Sequence, residues 1–134
     1  MEVRRLVPGD EDVVRALATR TPYFELLEDE RTIFLVAFDE GNPMGFVLAH
    51  HLPRRHEPSA KLLVYEVDVG ETHRGRGVGT ALLVELARVA RELGIPQGWV
   101  LTDDWNEAAM ALYRSAGGRN PHKETMWEFV YEAG

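Results

Sequence analysis

Apolar positions along the chain recur with two periods, and the change of period marks the elements. Val3 to Leu6 predicts a short strand, Pro8-Gly9-Asp10 punctuates it, and Asp10 is placed to cap a helix whose Val13, Val14 and Leu17 share one face. Phe24 to Leu27 predicts a second, short helix after Thr21-Pro22. Thr32 to Phe38 and Met44 to Leu52 are rich in β-branched and aromatic residues and flank the turn Glu40-Gly-Asn-Pro43, the pattern of a hairpin. After the loop Pro53-Arg-Arg-His-Glu-Pro58, Lys61 to Val69 predicts a long strand, with Tyr65, Val67 and Val69 on one face and Val64, Glu66 and Asp68 on the other. Leu82, Leu86, Val89 and Leu93 then repeat at helical spacing until Gly94 and Pro96 end the helix. Trp99 to Thr102 predicts a short buried strand, Asn106 caps a helix running through Ala116, Gly117-Gly118 stops it, and Thr125 to Tyr131 predicts the last strand. The order is that of a mixed α/β fold, with helices covering both faces of one sheet.

Residues 1 to 134 are enough for one domain with one core, and 45% hydrophobic with 28% charged residues is the balance of a globular chain. No apolar run is long enough to cross a bilayer, and no signal-peptide core follows Met1. The formal net charge of −7 opposes nucleic acid and favours a cationic partner, although acidity serves solubility as well. Zero cysteines exclude a disulfide framework, a thiolate metal site and a cysteine nucleophile, and are compatible with the cytoplasm.

Against this background the stretch His73-Arg-Gly-Arg-Gly-Val-Gly-Thr-Ala-Leu-Leu83 stands out. It lacks the Gly-Lys-Ser/Thr of a P-loop and has Thr80 where a dinucleotide fingerprint needs glycine. Glycines let successive amides approach a ligand, and the start of a helix offers unpaired N–H groups and a positive dipole end, so the loop is suited to an anion such as a pyrophosphate. Arg74 and Arg76 add guanidinium groups that pair with phosphate oxygens; the bland alternative is a turn with solvated arginines.

Arg74-x-x-Gly77-x-Gly79 resembles the acyl-CoA loop of the GCN5-related N-acetyltransferases (GNAT), and Asn106-x-x-Ala109-x-x-Leu112-Tyr113-x-x-x-Gly117 resembles that family's second signature. Asp29-Glu-Arg-Thr-Ile-Phe-Leu-Val-Ala37, Leu52-Pro-Arg54, Tyr65-Glu-Val-Asp-Val69, Gly70-Glu71, His73-Arg74 and Ala111-Leu-Tyr113 are similar to segments of the aminoglycoside 3-N-acetyltransferases within it. Together the likeness spans roughly residues 29 to 131. Three positions depart from the pattern. Gly118 stands where an aromatic is usual and loosens the final turn, Glu66 stands where the subfamily carries aspartate, and Asn106 replaces an acidic residue.

The resemblance implies a mixed sheet with splayed central parallel strands, acetyl-CoA as the donor, and direct transfer of acetyl to an amine. It implies that backbone at Val67 and Val69 holds the pantetheine arm and polarises the thioester, and that Arg74, Gly75, Arg76, Gly77, Val78, Gly79 and Thr80 hold the pyrophosphate. Glu66 is the candidate general base for the protonated amine, Asp68 on its face being the alternative, and a solvated strand carboxylate the bland reading of both. Tyr113 is implied as the acid that protonates the departing thiolate, although a lone tyrosine on an amphipathic helix is more often core. Asn106 caps its helix and has a second role near the cofactor. Asp103, Asp104 and Glu124 join Glu66 and Asp68 as acidic walls for a cationic substrate; paired aspartates before a helix are as often turn residues.

His50 and His51 fall on opposite strand faces, the other histidines lack ligand spacing, and neither Ser59 nor Ser115 has a nucleophile setting, so no metal and no hydrolase triad is expected. Met110 and Met126 are expected in the core. The reading that results is an acetyl-CoA-dependent N-acetyltransferase for a polycationic amine such as an aminoglycoside at its 3-amino group. Its rivals are an N-acetyltransferase for a polyamine, amino acid or protein N-terminus, and a non-catalytic acyl-CoA-binding module. A homodimer is a family expectation only.

Overall fold

The computed structural model describes residues 1–122 and 124–132 and divides into two compact units, Met1–Val100 and a smaller one beginning at Leu101. In the larger unit β1 (Glu2–Arg5), β2 (Thr32–Asp39), β3 (Asn42–Pro53), β4 (Ala60–Val69) and β5 (Gly98–Val100) form one sheet in the order β1-β2-β3-β4-β5. The first four are antiparallel neighbours, and β5 lies parallel to β4. This is a mixed open sheet of the GNAT kind.

Helices cover both its faces. On one, α2 (Val78–Glu92) seats Val78, Leu82, Leu86 and Val89 against Ile33, Leu35, Ala37, Met44, Val47, Ala49 and Leu62. Each of the valine, leucine, isoleucine and methionine side chains among these contributes about 1.5–3 kcal/mol on burial. On the other, α1 (Glu11–Leu17) and a 3-10 turn at Phe24–Glu28 pack Val14 and Leu27 against Phe34, Val36, Phe38 and Leu48. β2 is therefore covered on both sides, which accounts for its unbroken apolar run. Helix α2 closes with Gly94 N–H on Arg91 O (3.1 Å) and Ile95 N–H on Ala90 O (2.9 Å), and Ile95 occupies the core place expected for Leu93, which is exposed.

Asp10 stands at the N-cap of α1 but caps nothing: its carboxylate turns back to accept from Val7 N–H (2.8 Å) and Arg4 Nη1 (3.0 Å). The guanidinium of Arg4 holds the Asp10 carboxyl below its ordinary range. The nearby cation outcompetes the helix amides for those oxygens.

In the smaller unit α3 (Glu107–Ser115) is capped by Asn106, whose Oδ1 accepts Ala109 N–H at 3.1 Å. Its end is closed by Gly118 N–H on Tyr113 O (2.8 Å) and Gly117 N–H on Arg114 O (3.1 Å), so Gly118 tightens the final turn rather than loosening it. The strand expected at Thr125 to Tyr131 is not formed, and Met126 is exposed rather than core. Alternation reports fitness for a pleated surface, whereas a strand also requires a ladder partner, and these residues have none among those described. The strand expected over Trp99 to Thr102 is likewise the three-residue β5, with Trp99 exposed. No helix among the described residues is long and apolar enough to cross a membrane.

Candidate active site

The site starts from a fault in β4. Register runs Leu48↔Glu66 and then Ala49↔Val64, leaving Tyr65 without a partner on β3. This bulge reverses the parity of the strand. Leu62 and Val64 before it, and Val67 and Val69 after it, all pack on the α2 side. Val64 thus lies with Val67 and Val69 and not with Glu66 and Asp68, and Tyr65 and Glu66 both point to the opposite face. The spacing of apolar positions, 62, 64, 67 and 69, carried that signal: two steps of two are separated by one of three.

The bulge is also where the parallel pair opens. β5 pairs with β4 only at Leu62, Leu63 and Val64, so the edge of β4 from Tyr65 to Val69 has no β5 partner. Backbone groups of Val67 and Val69 on that edge are left for another acceptor or donor, since strand polar groups require partners. Glu66 and Asp68 are exposed on the face turned away from α2, beside their β3 partners Leu48 and Phe46.

Beyond Val69 the chain makes a tight descent into α2. Gly70 N–H donates to Met44 O and His73 N–H to Gly70 O, both at 2.8 Å. Gly75 and Gly77 have φ of +77° and +79°, and a side chain on either would enter open space, so here the backbone conformation rather than crowding requires glycine. Gly77 is the N-cap of α2, no side chain caps the helix, and its first turn contains no acid, unlike α1 and α3. Ala81 N–H is bonded to Gly77 O, leaving the amides of Val78, Gly79 and Thr80 ahead of it without intrahelical carbonyls. Arg74 Nε donates to Val69 O at 3.1 Å and its Nη2 lies 4.0 Å from Asp68 Oδ1; both side chains are well exposed, and contacts of that kind are easily exchanged. His73 Nδ1 is buried with no partner among the described residues. Bare amides, an acid-free helix start, two arginines and an orphaned ring nitrogen fit a pyrophosphate-bearing group.

In the smaller unit, Asp103 and Asp104 are exposed ahead of α3, and Glu124 is exposed outside regular structure. Tyr113 is half-buried on α3, and burial pushes its phenol above the ordinary 10.0, so it keeps its proton at neutral pH. The larger unit therefore brings together Glu66, Asp68, Val67, Val69 and Arg74 to Thr80. In the smaller unit, Asn106 and Tyr113 lie at the N-cap and on the body of α3. Sequence periodicity missed Tyr65 as a neighbour of Glu66, and it missed Arg74 lying against the end of β4.

A mixed open sheet whose fourth strand runs through a glycine loop into a helix defines an α/β fold of the acetyltransferase class. The chain belongs to the acetyltransferase (GNAT) family, which it matches over residues 3–117. It is similar in fold to an aminoglycoside acetyltransferase, HMB0005, from an uncultured soil metagenomic sample, at 24% identity and a TM-score of 0.85 over 99% of this chain and 98% of that one. A ribosomal-protein-alanine N-acetyltransferase of Brucella melitensis biovar Abortus 2308 is 26% identical with a TM-score of 0.78, over 96% of this chain and all of that one. An L-2,4-diaminobutyric acid acetyltransferase of Streptomyces avermitilis is 33% identical over 96 residues, which are 71% of this chain and 51% of the relative. The chain spans about a third to a half of the length of the curated relatives it matches.

Proposed function

We propose that the chain, acting as one domain, transfers acetyl from acetyl-CoA to a primary amine of a polycationic small molecule, an aminoglycoside at its 3-amino group being the acceptor favoured. The observation that carries this reading is the juxtaposition on one strand of two exposed carboxylates, an unpaired parallel edge and an acid-free glycine loop. The subfamily likeness of Tyr65-Glu-Val-Asp-Val69 supports the aminoglycoside. The fold is shared with HMB0005.

Acetyl-CoA supplies an activated acyl group and a thiolate leaving group. Arg74, Arg76 and the amides from Gly75 to Thr80 hold its pyrophosphate, and backbone at Val67 and Val69 holds the arm and polarises the carbonyl. An alkyl ammonium must lose a proton before attack, and the Glu66 carboxylate accepts it directly or through water, with Asp68 as the neighbouring alternative. Tyr113 keeps its proton at neutral pH and delivers it to the leaving thiolate. Asn106 orders the helix that carries Tyr113. Asp103, Asp104 and Glu124 add to the negative field that draws a polycation. A chain without cysteine suits the cytoplasm, where we place the reaction.

The test is thiol release from acetyl-CoA by the purified protein with gentamicin, spermidine, 2,4-diaminobutyrate and short peptides. Glu66→Gln and Tyr113→Phe are each expected to lower kcat by about 10²-fold or more. Release with diaminobutyrate or peptide alone would transfer the assignment to those acceptors. Binding of acetyl-CoA without release by any amine would leave a non-catalytic acyl-CoA module.

A further inference from the structure

The bulge in β4 has a second effect, on the side chain next to Glu66. Because Val64 and Val67 both pack toward α2, the two residues between them emerge together on the opposite face. In a regular strand a neighbour of Glu66 would point away from it; here Tyr65 stands beside it, 62% exposed. The Tyr65 ring is not loose in solvent. It lies 5.8 Å from the ring of His50 at an interplanar angle of 59°, a tilted aromatic contact that limits its rotamers. His50 follows Phe46 and Leu48 at every second position of β3, and these pair across to Asp68 and Glu66. The face therefore carries two parallel rows: His50, Leu48 and Phe46 on β3, and Tyr65, Glu66 and Asp68 on β4.

An exposed aromatic ring held next to a carboxylate is suited to a saturated ring that bears an ammonium group. The ring's axial C–H groups lie on the tyrosine, its cation is attracted to the π face, and its amine reaches the carboxylate. An acyclic amine offers the carboxylate an ammonium and the tyrosine a cation, but no saturated ring face to lie on the tyrosine. We propose that Tyr65, braced by His50, is a specificity-determining residue that takes the amine-bearing ring of an aminocyclitol or amino-sugar acceptor while Glu66 takes its amine. This rests on the N-acetyltransferase reading given above.

The experiment compares KM and kcat of wild type, Tyr65→Ala, Tyr65→Phe and His50→Ala for gentamicin and for spermidine, with acetyl-CoA affinity measured by calorimetry as a check on folding. Tyr65→Ala is expected to raise KM for gentamicin about three- to tenfold more than KM for spermidine, with the change in KM rather than kcat, and Tyr65→Phe to restore it. His50→Ala is expected to change KM in the same direction by less. Equal effects on the two amines, or no effect, would overturn the inference. Turnover of spermidine but not of any ring amine would overturn it too while leaving the transferase reading standing. Acetyl-CoA binding with no turnover of any amine would remove that reading, and the inference with it.

Discussion

Substitution of Gly45 by alanine separates the sheet's role in stability from its role in holding the site. Gly45 faces Val69, the last residue of β4 before the glycine loop, and Met44 beside it accepts the N–H of Gly70. A Cβ at position 45 would lie 2.7 Å from the Asp68 carbonyl oxygen, 3.1 Å from Val69 Cα and 3.4 Å from Val69 Cγ2. Ordinary contact with the carbonyl begins near 3.4 Å, so the end of β4 must retreat by about 0.7 Å (3.4 − 2.7) or the two strands must accept the overlap. Either way the obstacle is backbone, which has no alternative rotamer to adopt.

Overpacking of this kind costs about 1–3 kcal/mol. At this chain length each kcal/mol corresponds to a fall in Tm of about 3–5 °C. If the strand yields, the stability loss lies at the low end, and the displaced segment is the one proposed to hold the donor, where a misplacement near 1 Å costs up to about 10²-fold. Gly45→Ala is thus expected to lower Tm by about 5–10 °C, to weaken acetyl-CoA binding, or to divide the penalty between them. Differential scanning calorimetry and isothermal titration with acetyl-CoA read the two parts separately. A variant with Tm within 1–2 °C of wild type and unaltered acetyl-CoA affinity would refute both the steric argument and the link from β3 to the site.

Asn106→Ala removes the side-chain acceptor for Ala109 N–H and is expected to cost about 1 kcal/mol, read as a lowered thermal midpoint, with serine at this position recovering most of the loss. Asp10 is held below its ordinary carboxyl range chiefly by the hydrogen bond from Arg4, so its contribution is present above the unfolded-state pKa and fades as pH falls through the lower folded one. Asp10→Asn is accordingly expected to be less stable than wild type at pH 7, by about 1 kcal/mol or less since Arg4 is partly solvated, with the difference closing below pH 3.8 in denaturant titrations. Burial raises the Tyr113 phenol above 10.0, so the alkaline limb of kcat that belongs to it should have its midpoint above pH 10; a limb centred lower that vanishes in Tyr113→Phe would contradict the burial argument.

Much of the larger unit was legible because its periodicities record burial. α2 was readable from Leu82, Leu86 and Val89, and the β2–β3 hairpin from two β-branched runs around a turn, since each pattern is set by the face the element buries. The glycine loop was readable for another reason: no element interior tolerates three glycines in five residues, so the stretch had to serve backbone geometry. What periodicity could not supply was anything that depends on a partner. Whether Asp10 caps α1 depends on where Arg4 lies, and whether residues 125–131 become a strand depends on an edge with which to pair.

The bulge at Tyr65 belongs to neither class, and it matters most for chemistry. Its trace, apolar residues at 62, 64, 67 and 69, is a single irregular step, which strict alternation absorbs by assigning Val64 to the face of Glu66. Corrected by that one residue, the strand becomes a device with two outputs. Before the bulge β4 is paired with β5 and closes the sheet; after it the edge is open and the opposite face carries Tyr65, Glu66 and Asp68 together. A regular strand of this sequence would have put either Tyr65 or Glu66 into the hydrophobic layer under α2, where an unpaired carboxylate costs several kcal/mol or shifts its pKa until it is neutral. The extra residue thus removes a conflict between burying Leu62 and Val64 before it and exposing Glu66 after it, and it does so at the place where the parallel pair separates.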